Sequence, residues 1–315
     1  IFVKNYSIYF LNLIVTSSAV EMRRQTTTNC PKIKTSSFLE QEICTQKEIK
    51  TTMNPFSSRA GGNLVKPVIP CLTRNRINAT DMSIETTYNP KNPGTLILGA
   101  NEFQVAILRD EVLQYDFKAS IRFLEAKGKI LFGRHFKIHE EDYELLYKLV
   151  TYFIEDQRVG NKLEIDLNKG ILLSGPVGCG KTTLMRLLPH LVPHKRHYQS
   201  TLMPCRNIVF GFNNLGYKII EDYADTKAYC FDDLGVEPIG RHYGKDCNVM
   251  GEILITRYEV IMNQKLSHRA QSRCHITTNL NSNEIENRYG ERVRSRMREL
   301  FNLISFSSVS KDKRG

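Results

Sequence analysis

The sequence of 315 residues contains no tryptophan, and none of its apolar runs approaches the roughly 18 residues that cross a bilayer. Its eight cysteines form no C-x-x-C pair and no spacing typical of metal ligands. There is no internal repeat. We therefore expect no membrane span and no cysteine-based metal site, and the scattered thiols favour a reduced, cytoplasmic protein.

The composition is that of an ordinary globular protein, with 41% hydrophobic and 24% charged residues. The formal net charge is +11, and roughly half of this excess lies in residues 1–81. The remainder of the chain is only mildly basic. The charge thus permits a nucleic-acid partner but does not require one.

Three regions differ in their patterning. Residues 1–81 are rich in Thr, Ser, Asn and Lys, lack any sustained hydrophobic period and begin with Ile1 rather than methionine. We expect this part to be a disordered tail or upstream read-through. We predict a mostly helical N-terminal region over residues 82–160 and a nucleotide-binding domain over residues 161–315.

A glycine-rich loop is the most informative motif. The sequence GPVGCGKT fits G-x-x-x-x-G-K-[ST], the phosphate-binding loop or Walker A pattern. Glycines allow the backbone to curl around an anion and to point its N–H groups at phosphate oxygens. We expect Lys181 to bind the β- and γ-phosphates of ATP and Thr182 to bind Mg²⁺. The nucleotide-contacting residues are predicted to be Gly175, Pro176, Val177, Gly178, Cys179, Gly180, Lys181, Thr182 and Thr183.

Alternating strands and helices follow the loop, which predicts an α/β fold with a doubly wound, parallel five-stranded sheet. The predicted strands are residues 170–174, 206–210, 228–232, 273–278 and 302–306. The predicted helices are residues 181–191, 213–224, 249–264 and 284–300, with Pro189 expected to kink or end the first. Upstream, helices are predicted over residues 101–113, 117–127 and 140–158.

A second acidic element ends the strand Tyr229-Cys230-Phe231 with two carboxylates. In a phosphate-loop protein, an acid at the tip of a neighbouring strand holds Mg²⁺, and the next acid can polarise the attacking water. We assign Asp232 to the metal and Asp233 to the water, with Glu237 as a nearby substitute.

Two later elements carry polar side chains that could also act on the phosphates or the attacking water. Asn279 follows the strand at residues 273–278 and is placed to hydrogen-bond the γ-phosphate or to orient the water. Residues 284–300, with Asn283 as the expected N-cap, contain five arginines and no lysine. Arginine offers planar, bidentate phosphate recognition, and one reaching into a neighbouring subunit would act as an arginine finger.

Together these motifs resemble the AAA+ ATPases of the DnaC/IstB type, which are helicase loaders and transposition helpers. The resemblance covers roughly residues 165–307 and rests on GPVGCGKTT, CFDDLG, RYEVI, TTNL and YGERVRSRM. It implies Asn279 as sensor 1 and an arginine finger at Arg292 or Arg296, with Arg296 slightly favoured. It also implies a ring or open helix of identical subunits that acts with DNA and a helicase or transposase.

The sequence departs from that pattern in two places. Asp233 stands where most such ATPases carry Glu. The last predicted strand lies so close to Gly315 that we expect no C-terminal helical lid, and we assign no sensor 2 residue.

The leading interpretation is an ATPase acting on DNA-bound machinery. The alternatives are a small-molecule kinase on the same sheet and a nucleotide-dependent DNA-binding or scaffold protein with little hydrolysis.

Overall fold

The computed structural model describes residues 7–10, 85–195, 198–225, 227–266, 274–308 and 310–314. The prediction for residues 1–81 therefore lies outside the described residues, apart from the short strand β1 (Ser7–Phe10). Within the described residues, no helix is long and apolar enough to cross a bilayer.

Short strands form the first part of the described chain. They are β2 (Thr86–Asn89), β3 (Asn92–Leu98), β4 (Asn101–Gln104), β5 (Ala106–Arg109) and β6 (Val112–Tyr115). One sheet has the order β2-β3-β4, and the other has the order β1-β6-β5 with β1 parallel to β6.

The helix predicted over residues 101–113 is wrong. Asp110 and Glu111 both have positive φ, at 47° and 61°, and form a two-residue hairpin turn between β5 and β6. Leu113 and Tyr115 are buried while Val112 and Gln114 are only half-buried, which is the period of a strand. The described residues 85–160 therefore combine strands in their first half with helices in their second.

These helices are α1 (Phe117–Phe132), a 3₁₀ turn (Glu140–Asp142), α2 (Tyr143–Ile154) and α3 (Gln157–Lys162). The helix predicted over residues 140–158 is interrupted because Glu155 adopts a left-handed conformation, with φ 65°. Asp156 then caps α3 by accepting a hydrogen bond from the Val159 amide at 2.9 Å.

The predicted five-stranded parallel sheet is confirmed, in the order β13-β7-β12-β9-β8. Its elements are β7 (Gly170–Ser174), α4 (Lys181–Leu187), a 3₁₀ turn (Leu188–Leu191), β8 (Thr201–Pro204), α5 (Cys205–Leu215), α6 (Lys218–Ala224), β9 (Tyr229–Leu234), β10 (Gly240–His242), β11 (Lys245–Cys247), α7 (Val249–Leu266), β12 (His275–Thr278), α8 (Ser282–Tyr289), α9 (Glu291–Leu300) and β13 (Phe301–Ser305).

Side chains of the sheet alternate between two hydrophobic clusters. Ile171 and Leu173 of β7 face one cluster with α1, α2 and α4, whereas Leu172 faces the other with α5, α7 and α9. Buried apolar layers on both faces explain why the core strands are continuous apolar runs.

Two further predictions need correction, and a third is confirmed. The strand predicted at residues 206–210 is wrong, because the strand β8 ends at Pro204 and the residues after it form the helix α5. The helix predicted at residues 213–224 spans the end of α5, a turn at Gly216 with φ 65°, and α6. The predicted shortening of the first helix by Pro189 is confirmed, since α4 ends at Leu187 and a 3₁₀ turn follows.

The predicted helix over residues 284–300 is two helices separated by Gly290, whose φ is 88°. The predicted N-cap Asn283 is wrong: the Asn281 side chain caps α8 by accepting from the Glu284 amide, and the Asn281 amide donates to the Glu284 carboxylate. This reciprocal capping box satisfies two amides that would otherwise lack partners at the helix start.

Candidate nucleotide-binding and hydrolysis site

The phosphate loop connects the buried strand β7 to α4, as the motif requires. Gly178 and Gly180 adopt positive φ angles of 81° and 102°, which side chains with a Cβ rarely tolerate. A Cβ built on Gly180 would meet no atom within 4 Å, so the loop borders open space there. Val177 at the loop tip is 57% exposed, whereas Cys179 is buried.

Lys181 lies at the start of α4 and is only 5% exposed. Its ammonium donates hydrogen bonds to the Gly175 and Pro176 carbonyls, at 2.9 and 2.8 Å, and to Asn279 Oδ1 at 2.6 Å. Because β12 lies directly beside β7, the end of β12 brings Asn279 next to the loop lysine. The structure thus brings together two residues that are far apart in the sequence.

Asp232 and Thr182 also meet. The Thr182 hydroxyl donates to Asp232 Oδ1 at 2.8 Å, and the Thr277 hydroxyl donates to the same oxygen at 2.6 Å. Asp232 is 6% exposed, so these hydrogen bonds replace the water that a carboxylate needs on burial. Thr183 follows on α4 and is half-buried.

A bulge in β9 makes the adjacent side chains of Asp232 and Asp233 point in different directions. Phe231 pairs with Ile276 and Leu234 pairs with Thr278, so two residues of β9 stand opposite Thr277 alone. Asp233 has φ 55°, and its amide donates to Thr277 Oγ1 at 2.9 Å. The bulge therefore buries the Asp232 carboxylate while it leaves Asp233 exposed.

Charges around Asp233 act in both directions. Partial desolvation of the carboxyl group and the neighbouring Asp232 raise the pKa of Asp233, whereas Lys181 and Arg314 oppose that rise. Glu237, the predicted substitute for Asp233, is buried and engaged elsewhere. It accepts hydrogen bonds from the Gly235 amide at 2.7 Å and from the Tyr289 hydroxyl, and it lies 3.6 Å from Arg288 Nε.

The predicted arginine-finger residues lie on α9 and are not bonded to the phosphate loop in any described contact. Arg292 is 69% exposed, and its nearest described carboxylate is Glu259, at 3.7 Å. Arg296 donates to the Tyr258 hydroxyl at 3.0 Å and to Glu299 at 3.1 Å, and its guanidinium lies 4.3 Å from the Tyr258 ring centroid. Arg296 is thus tied to its own chain more firmly than Arg292.

The donor atoms at this site suit magnesium. Thr182 and Asp232 offer a hydroxyl and a carboxylate oxygen that already lie within hydrogen-bond distance of each other. Mg²⁺ prefers such hard oxygen ligands and takes its remaining ligands from water and phosphate. No group of three or more His, Cys, Asp or Glu side chains among the described residues forms a separate metal site.

Sequence reasoning missed two parts of this site. Thr277 holds both Asp232 and Asp233, and only the bulge reveals its role. The segment after β13 crosses the phosphate loop, where the Lys313 amide donates to the Gly178 carbonyl at 3.1 Å. No pattern of spacing marks either contact, since both depend on which strands become neighbours.

Comparison with known proteins gives structural neighbours only. No protein-family model matches the chain, and no curated protein matches it in sequence. The solved structures that it resembles include the DnaC helicase loader, with 18% identity, a TM-score of 0.39, and coverage of 55% of this chain and 94% of that one. A primosome component from Streptococcus pyogenes serotype M3 has 17% identity, a TM-score of 0.38, and coverage of 55% and 83%.

AMPPCP-bound DnaA from Aquifex aeolicus is a third, with 14% identity, a TM-score of 0.34, and coverage of 55% and 48%. The DnaC helicase loader is thus among the solved structures that the chain resembles. The assignment of a P-loop core itself rests on the strand order and the loop geometry described above.

Proposed function

We propose that this chain binds and hydrolyses ATP as an AAA+ protein that acts on DNA-bound machinery. One observation carries the proposal: at the start of α4 and the ends of its neighbouring strands, Lys181 bonds to Asn279 and Thr182 bonds to Asp232. A lysine, a magnesium-binding hydroxyl and acid, and a polar amide are the groups that phosphoryl transfer to water uses.

Each residue has a separate task in this proposal. The loop amides and Lys181 would bind the phosphates, and Asn279, which contacts the Lys181 ammonium, would meet the γ-phosphate. Thr182 and Asp232 would hold Mg²⁺, which neutralises charge on the β- and γ-phosphate oxygens when bound. Asp233 would accept the proton of the attacking water, because it is the exposed acid next to Asp232.

The environments of Asp233 and Glu237 favour the scaffold alternative over the kinase alternative. Glu237 is held by Tyr289 and Gly235, so Asp233 is left as the acid next to Asp232. A short acid at this position supports slow hydrolysis, and hence the alternative of a nucleotide-dependent scaffold. The kinase alternative requires an acceptor for the phosphoryl group, so product analysis decides it.

The finer role rests on the sequence motifs TTNL and YGERVRSRM. They support a helper in helicase loading or transposition, with DNA and a helicase or transposase as partners, and a ring or open helix of identical subunits. In such an assembly, Arg292 is better placed than Arg296 to act on a neighbour, because it is the more exposed and the less bonded of the two.

Phosphate release from ATP in Mg²⁺, with and without single-stranded DNA, tests the proposal. Lys181→Ala should abolish ATP binding, because the lysine supplies the main positive charge at the phosphates. Asn279→Ala should spare binding and lower turnover. Phosphate released without any acceptor excludes the kinase, and ATP binding with no release supports the scaffold. Equal ATP affinity in the wild type and in Lys181→Ala would refute the nucleotide site.

A further inference from the structure

The chain continues beyond β13 as a segment that crosses the phosphate loop. We call the described residues 306–308 and 310–314 the strap. At its start, the Phe306 amide donates to the Ser174 carbonyl at 2.9 Å, and the Phe306 side chain is buried. A Cβ on Gly175 would lie 2.7 Å from the Cβ of Phe306, so the strap packs directly on the first residue of the loop.

The far end of the strap contacts the same loop again. The Lys313 amide donates to the Gly178 carbonyl at 3.1 Å. A Cβ built on Gly178 would meet the Asp312 carboxylate at 2.1 Å, so glycine is needed there for space as well as for its φ of 81°. Asp312 is itself fixed, because it accepts a hydrogen bond from the Arg314 amide at 3.0 Å.

The Lys313 side chain anchors this end to the helical region upstream. Its ammonium bonds to the Asp142 carboxylate and lies 3.7 Å from Glu141 Oε1, in the 3₁₀ turn that leads into α2. It also lies 5.4 Å from the centre of the Phe306 ring. The Lys313 and Asp142 side chains are only 17% and 11% exposed, so their pairing is shielded from solvent.

We propose that the strap holds the phosphate loop in its binding conformation and that Lys313 is a positioning residue for this loop. In a planar trans peptide, the carbonyl and the following N–H point in opposite directions. By holding the Gly178 carbonyl, the Lys313 amide directs the Cys179 N–H toward the other side of the loop. The Lys313–Asp142 ion pair keeps the strap in place.

The open space at Gly180 supports a positioning role over an inhibitory one. The strap covers the loop at Gly178, whereas a Cβ at Gly180 would meet no atom within 4 Å. The loop is therefore braced at one glycine while it stays accessible at the other. A loop already held in one conformation loses less entropy on binding, which raises its affinity for the ligand.

This inference rests on the proposed function, and a double-mutant cycle tests it in the full chain. The variants are Lys313→Met, Asp142→Asn and the pair together. The readouts are the Kd of a fluorescent ATP analogue with Mg²⁺, the turnover number and the melting temperature. We expect each single variant to raise the Kd about tenfold and the double variant to raise it no further, because all three break one ion pair.

Two further variants act as controls. Lys313→Arg keeps the charge and should retain affinity close to that of the wild type. Lys311→Met removes an exposed lysine from the same segment and should leave the Kd unchanged. If Lys313→Met fails to fold, Asp142→Asn, which preserves side-chain volume, carries the test.

An unchanged Kd in Lys313→Met, with or without a lower melting temperature, would overturn the positioning role. Tighter ATP binding would overturn it as well and would identify the strap as an inhibitor. If the wild-type protein binds ATP and all strap variants bind it with the wild-type Kd, the strap's role alone is refuted. Wild-type protein that binds no ATP refutes the proposed function and the strap's role together.

Discussion

Thr277 is the residue on which the two acids depend. Its hydroxyl donates to Asp232 Oδ1 and accepts from the Asp233 amide, at 2.6 and 2.9 Å, and the side chain is fully buried. A buried hydroxyl with both partners fixed sets the orientation of Asp232 and maintains the bulge that exposes Asp233. Sequence reasoning assigned roles to both acids without the residue that holds them.

We predict that Thr277→Val lowers magnesium-dependent ATP hydrolysis by about tenfold or more. Valine matches threonine in shape, but it removes a hydrogen bond to a charged group and leaves the Asp233 amide unpaired, at a cost of about 1–3 kcal/mol. The measurement is steady-state turnover against Mg²⁺ concentration. The half-saturating Mg²⁺ concentration should rise, and Thr277→Ser should restore it.

The adjacent Thr278 provides a matched control. Its hydroxyl is equally buried, but it donates to the Leu234 carbonyl at 2.7 Å and does not contact Asp232. Thr278→Val should therefore lower stability without changing the Mg²⁺ requirement. Equal Mg²⁺ requirements in Thr277→Val and the wild type would contradict the proposed role of Thr277.

At the scale of elements, β9 is held in place by a buried arginine. Arg257 on α7 is 1% exposed, and its guanidinium donates to the carbonyls of Tyr223, Asp225 and Lys227 at 2.7–2.9 Å. These carbonyls lie in the chain that leaves α6 and enters β9. The same guanidinium lies 5.6 Å from the Tyr229 ring centroid. The RYEVI motif thus has a structural function in supporting the strand that carries Asp232.

We predict that Arg257→Met lowers the free energy of unfolding by about 3 kcal/mol, because three carbonyls lose a charged donor. Arg257→Lys should recover little, since an ammonium group cannot reproduce the planar fork of the guanidinium. Urea unfolding measures both.

Arg206 is the control for this change. Its guanidinium lies over the exposed Phe210 ring at 5.1 Å, so Arg206→Met should cost less than about 1 kcal/mol. If Arg257→Met proves no more destabilising than Arg206→Met, Arg257 does not anchor β9.

The elements also show what the sequence could and could not predict. The strand β7 contains an apolar run, Ile171–Leu173, that is buried on both faces of the sheet, and this pattern is visible without a structure. The break at Gly290 was missed because the apolar residues on both sides keep a four-residue spacing across it. The β5–β6 hairpin was missed because Asp110 and Glu111 adopt positive φ, which cannot be predicted from the identity of these two residues.

The candidate site also has some features that could be predicted from the sequence and others that could not. The phosphate loop, Asp232 and Asn279 were predictable because each stands at the end of an apolar strand. Their closeness depends on the insertion of β12 between β7 and β9, which follows from tertiary packing rather than from spacing. The contacts of Lys313 with Gly178 and Asp142 join segments far apart in the sequence, which no local pattern records.

At the scale of the whole molecule, the proposed function requires that one chain does not complete its own site. Lys181 is the buried cation at the phosphate loop, whereas the predicted finger Arg292 is 69% exposed on α9. The buried side of α9 is made by Val293, Met297 and Leu300, which fixes the arginine on the outer side of the helix. In that proposal, an exposed finger and a separate site would form a head-to-tail interface, which closes into a ring or extends as a helix.

Turnover per chain should therefore rise with protein concentration. Arg292→Ala should retain ATP binding and lose turnover by about a thousandfold at every concentration, because the finger stabilises charge in the transition state only. Arg296→Ala should lose less, since its guanidinium is bonded to Tyr258 and Glu299 of its own chain. The rate of phosphate release is measured across a dilution series for the wild type, Arg292→Ala and Arg296→Ala.

Mixing two inactive variants separates an effect in trans from damage within one chain. Arg292→Ala subunits retain Lys181, and Lys181→Ala subunits retain Arg292, so a mixed assembly contains interfaces in which both groups are intact. We expect phosphate release to appear on mixing and to peak near equal amounts, because that ratio gives the most mixed interfaces. If the mixture remains as inactive as its components while both variants still assemble, Arg292 does not act across an interface between subunits.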